Sequence, residues 1–141
     1  MDKQHIKDII ETTIEEIEAE YQRTKGMILT EDDLKAIIFR KLSNKHPGLV
    51  EPQQTKDSGI LAPMLHTELS WYDENDKLTI KPDITILEPK YLSILKGIDG
   101  IELPSKQYSF GGDAILIELK FIRRKKGIID KDLITPPQNT I

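Results

Sequence analysis

The chain contains no cysteine, which removes disulfides, thiolate zinc sites and cysteine nucleophiles together. A reducing cytoplasm is the natural home for such a chain. No stretch approaches the roughly 20 apolar residues that a membrane-spanning helix needs. The N-terminus is acidic and interrupted by charges, unlike a signal peptide. There is no Gly-rich phosphate loop, nucleophile-elbow serine or dinucleotide fingerprint. Histidine is scarce, and His5, His46 and His66 lie too far apart for zinc-ligand spacing. A strong charge of one sign is also missing, since 20 basic and 24 acidic side chains leave a net charge of −4.

What is present suits one modest domain of 141 residues, with 31% of them charged. The charges are unevenly placed. Residues 1–33 hold ten acidic and four basic side chains, whereas residues 34–141 hold fourteen and sixteen. Five of those sixteen fall in Lys120–Lys126, which concentrates the positive field at one place.

Periodicity predicts a first helix over Asp2 to about Arg23, with Ile6, Ile10, Ile14, Ile17 and Tyr21 as a narrow apolar seam and Gly26 as its terminator. A second helix starts at Thr30, where Asp33 completes a capping-box-like pair and Glu31, Asp32 and Asp33 favour the positive end of the helix dipole. Leu34, Ile37, Ile38 and Leu42 form its apolar face, and His46-Pro47-Gly48 stops it. Residues 50–63 read as a loop. Three strands follow: Leu65–Tyr72, Lys77–Leu87 after a turn at residues 73–76, and Ala114–Ile122. Leu78, Ile80, Ile84 and Ile86 share one face of the second strand, and Pro82 predicts an interruption, bulge or edge within it. A short helix is expected at Tyr91–Lys96. The regions are thus 1–27, an acidic amphipathic helix; 28–126, the core; and 127–141, a polar tail.

Two short motifs carry chemistry: Pro82-Asp83 on the second strand and Glu118-Leu119-Lys120 on the third. Strand parity puts Glu118 and Lys120 on one face while Ile115, Ile117, Leu119 and Phe121 pack the other. Asp83 projects opposite the isoleucines of its strand, so neighbouring strands would bring the three together. Two hard carboxylates suit Mg²⁺ or Mn²⁺. Such an ion activates water and neutralises charge on a phosphodiester, and a lysine beside it can act on the nucleophile or transition state. A glutamate centred in the apolar run Ala114–Leu119 is costly to bury without a partner. The bland alternative is a pair of exposed strand carboxylates and a snorkelling lysine.

A helix, a hairpin carrying Pro-Asp and a strand carrying Glu-x-Lys, in that order, resemble the catalytic core of the PD-(D/E)xK nuclease superfamily over about residues 28–125. The resemblance implies an α/β fold: a restriction-endonuclease-like core with N-terminal helices and a central mixed β-sheet. After Glu-x-Lys that core continues with a helix and a further strand, where this chain offers a polar tail. By the same resemblance Asp83 and Glu118 are metal ligands and Lys120 the catalytic lysine. Glu31, in the Glu-x-x-Leu-like stretch Glu31–Leu34, is the fourth candidate, with Glu68 competing for that place. The implied activity is metal-dependent endonucleolytic hydrolysis of DNA, with RNA left open. The alternative is an inactive nuclease-fold module that binds nucleic acid or protein. Arg123, Arg124, Lys125 and Lys126 suit phosphate contacts, or equally a solvated edge guard. The isoleucine seam is core, or else the interface of a homodimer.

Overall fold

The structure is a computed structural model that describes residues 1–73, 75, 77–94 and 108–121. Helix α1 spans Lys3–Arg23, and its N-cap Asp2 accepts a hydrogen bond from the His5 N–H at 3.1 Å. It ends at Thr24, whose N–H donates to the Glu20 carbonyl. Gly26, the expected terminator, lies beyond that in a single 3₁₀ turn, Lys25–Met27. Helix α2 spans Glu31–Lys45 and begins with the full capping box: Thr30 Oγ1 accepts from the Asp33 N–H, and Asp33 Oδ2 accepts from the Thr30 N–H. It ends one residue before His46, ahead of Pro47, where the sequence stops it.

Nine short strands follow among the described residues: β1 Gln53–Gln54, β2 Leu61–Ala62, β3 Leu65–Thr67, β4 Trp71–Tyr72, β5 Leu78–Ile80, β6 Ile84–Leu87, β7 Leu92–Ser93, β8 Ser109–Phe110 and β9 Ala114–Ile117. The central sheet has the order β3-β6-β9, flanked by the two-stranded pairs β1-β2, β4-β5 and β7-β8. Every one of these pairings is antiparallel, so the parallel member of the expected mixed sheet is not among the described residues. The stretch 50–63 carries the β1-β2 pair instead of a plain loop. A 3₁₀ turn, Pro89–Tyr91, and β7 replace the start of the expected helix at Tyr91–Lys96; its end lies outside the described residues, as does the Ile122 end of the third strand.

Two of the three strands read from the sequence are split, and the third ends at Ile117, with residues 118–120 outside it. The first divides at Glu68, whose φ of 55° is left-handed, a conformation rare for a side chain with a Cβ. The second divides at Lys81-Pro82-Asp83, because proline has no N–H for the ladder. The break also re-aims the chain. Ile84 and Ile86 join the helical side of the core, but Ile80 packs on the opposite side and Leu78 is exposed. A single shared face for those four residues does not survive the interruption.

The helices cover one face of the central sheet. Ile6, Ile10, Ile14, Ile17 and Tyr21 of α1 and Leu34, Ile38 and Leu42 of α2 form one cluster with Leu65, Ile84, Ile86, Ile115, Ile117 and Leu119. The α1 seam is therefore occupied within the chain, and a second copy would have to bind through another surface. Lys41 joins Glu20 at 2.9 Å and Lys45 joins Glu16 at 2.7 Å, tying the two helices along their rim. The far face of the sheet is covered too: Ala62, Trp71, Leu87, Leu92, Ala114 and Leu116 make a second cluster. Among the described residues no helix is long and apolar enough to cross a membrane.

Candidate active site

The break at Pro82 creates the arrangement at one end of the central sheet. Thr67 pairs with Ile84, and Ile84 with Ile117. One residue beyond each strand end stand Glu68, Asp83 and Glu118, in a row across three adjacent strands. The Asp83 carbonyl accepts the Glu68 N–H at 3.1 Å. Past Ile117 the ladder stops, and Asp83 takes over: its Oδ2 accepts the Leu119 N–H at 2.7 Å. A side-chain carboxylate thus replaces the missing strand acceptor and fixes Asp83 against the Glu118-Leu119 backbone.

The alternation read for the third strand continues beyond its last paired residue. Leu119 is buried with Ile115 and Ile117, and Phe121 packs against the same cluster. Glu118 is half-buried on the other side, and Lys120 is exposed. Burial pushes the Glu118 carboxyl above the usual carboxylate range, and the negative charges of Asp83, Glu31 and Glu68 push it further. Glu31 therefore reaches the field of the site from the first turn of α2, held there by the Thr30 cap. Both candidates for the fourth position, Glu31 and Glu68, act on Glu118.

Sequence reasoning missed one member of the group. Lys35, one turn into α2, crosses to the sheet end, where its Nζ lies 2.5 Å from Glu68 Oε1, 3.4 Å from Asp32 Oδ1 and 3.9 Å from Asp83 Oδ1. The Glu68 hydrogen bond holds the Lys35 ammonium above its ordinary pKa against the opposing effect of burial. Lys81 adds a longer contact, 3.9 Å to Glu68 Oε2. Helical spacing places Lys35 beside Glu31 and Asp32, but its reach to Glu68 and Asp83 is tertiary. Asp32, Lys35, Ala36, Phe39 and Thr67 line an open groove beside it.

Among the described residues no three acidic or imidazole groups form a ready-made ligand cage. Asp83 and Glu118 instead present two neighbouring carboxylates, and the charge of Asp83 helps to push the Glu118 carboxyl up after burial has done so. That donor set suits a hydrated Mg²⁺, which uses one or two carboxylates and keeps several waters. Arg123, Arg124, Lys125 and Lys126 lie outside the described residues. Comparison with family models, curated proteins and solved structures found no match.

Proposed function

We propose that this chain is a metal-dependent nuclease domain of the PD-(D/E)xK type that hydrolyses DNA phosphodiesters. The observation that carries the reading is the antiparallel register that sets Asp83 beside Glu118. The like-charge strain on Glu118 adds to it, since a divalent cation would relieve that strain. Asp83 and Glu118 would hold Mg²⁺ or Mn²⁺. When bound, the ion supplies activation of water and neutralisation of the charge that builds on the phosphodiester.

The protein's own residues have distinct parts. Asp83 is oriented by the Leu119 N–H, which keeps one carboxylate oxygen facing its strand neighbour. Lys120, exposed two residues beyond Glu118, supplies a cation that can meet the scissile phosphate or take a proton from the attacking water. Glu31 and Glu68 enlarge the negative field that draws the cation in. The basic run Arg123–Lys126 supplies phosphate contacts that do not depend on sequence.

A cleavage assay in Mg²⁺ on plasmid, single-stranded and branched DNA tests the reading. Asp83→Ala and Lys120→Ala are each expected to abolish cleavage, while only Asp83→Ala weakens Mn²⁺ binding measured by calorimetry. Wild-type protein that binds these DNAs without cutting any of them would identify a binding module instead.

A further inference from the structure

Lys35 does more than tie a helix to a sheet. Its side chain is largely enclosed, with 14% exposed, and its ammonium is surrounded by three carboxylates from three segments: Asp32 on α2, Glu68 after β3 and Asp83 before β6. One of those carboxylates belongs to a residue in a left-handed conformation, Glu68. That backbone conformation is costly and persists only where its surroundings hold it. Lys35 and Lys81 are what hold its carboxylate. The compensation is also lopsided. Among the described residues, the charged neighbours that shift Glu118 are the acids Asp83, Glu31 and Glu68, whereas the Lys35 ammonium serves the α2 side of the row.

We infer that Lys35 is the resident counter-ion of this acidic row: it stands among the carboxylates when no divalent cation is bound and sets how readily one enters. A cation shared by Asp83 and Glu118 must share Asp83 with the Lys35 ammonium. Like charges at such separations repel appreciably even through a surface-like dielectric. The groove lined by Asp32, Lys35, Ala36, Phe39 and Thr67 gives the lysine head room to swing away while α2 stays in place. The site would then remain assembled in the absence of metal without collapsing through self-repulsion. Lys35 is a positioning residue, acting through Glu68 and Asp83. Only the divalent-ion part of the inference rests on the function proposed above.

The test uses the full chain and two readouts that need no cleavage. In EDTA, Lys35→Met should melt several degrees below wild type, and adding Glu68→Gln to it should cost little more, because the two side chains act as a pair. In a Mn²⁺ titration, Lys35→Met should bind about tenfold more tightly than wild type, since the competing positive charge is gone. Lys35→Gln should behave like Lys35→Met, and Lys35→Arg should stay near wild type in both assays, which keeps the test decisive if the Met variant folds poorly. Unchanged or weaker Mn²⁺ binding in the charge-removing variants would overturn the inference, as would melting in EDTA that is indifferent to them. Wild-type protein and all variants ignoring millimolar Mn²⁺ would count against the metal reading alone; the EDTA comparison and its Glu68 cycle then decide the role of Lys35.

Discussion

At the scale of single residues, Glu118 stands out because its surroundings disfavour its charge. Glu118 is half-buried, and among the described residues the charged groups that shift it are three acids, Asp83, Glu31 and Glu68. Replacing it with glutamine keeps the shape and removes the charge, so Glu118→Gln should melt above wild type in EDTA at neutral pH. Thermal melts with and without Mn²⁺ check this, and the variant's curve should no longer respond to the ion. His66 behaves in the opposite sense. Its Nε2–H donates to the Pro63 carbonyl at 2.8 Å, and burial pushes the imidazole below its ordinary pKa. The unfolded chain accepts a proton at about pH 6.5, where the folded chain resists it. Protonation therefore favours unfolding, and the stability present above that range is lost as pH falls through it. Urea midpoints across that range should fall for wild type and fall less for His66→Gln.

Elements matter here because they deliver the acids to one place. The Thr30 capping box starts α2 where Glu31 and Lys35 face the sheet end, satisfying two backbone donors reciprocally. Thr30→Ala should cost about 1 kcal/mol, the usual worth of such a cap. Chemical denaturation measures it, and Thr30→Ser should restore most of the loss. The Pro82 break shapes the end of the sheet. A continuous strand would have used its backbone to pair with residues 118–120, leaving the Asp83 carboxylate no N–H to catch. By stopping the ladder at Ile117, the proline leaves the Leu119 N–H for the Asp83 side chain.

At the scale of the whole molecule, α1 is a structural layer and not an appendage. Its seam contributes five of the side chains that bury the helical face of the sheet, and Ile17 is only 1% exposed. Truncating such a residue leaves a cavity against α2 and the strands, so Ile17→Ala should destabilise the protein by about 2–5 kcal/mol. Against a total stability of roughly 5–15 kcal/mol, that loss is large enough for a urea midpoint to register plainly. The sheet beneath is sealed on both faces, which explains why Thr85 is fully buried although it lies on the face opposite Ile84 and Ile86. At one end of that sealed sheet stands the row of an exposed Glu68 and a half-buried Asp83 and Glu118.

Local rules sufficed wherever a property depended on near neighbours in the chain. Both helices, their apolar seams, the Thr30 cap, the stop before Pro47 and the in-out alternation of Ile115, Ile117 and Leu119 were legible because helix and strand periodicity is a property of successive residues. The pairing of Asp83 with Glu118 was legible only as a condition on the strands being neighbours; their register met that condition. What no local rule supplies is where a chain goes after it breaks. The rotation at Lys81–Asp83 that sends Ile80 to the opposite cluster, the short pairs within 50–63, and the left-handed turn at Glu68 depend on what other segments pack against them. Lys35 is the sharpest case. On its own helix it is an ordinary neighbour of Asp32, and only the folded sheet brings Glu68 and Asp83 within its reach, because electrostatic partners are chosen by distance in space.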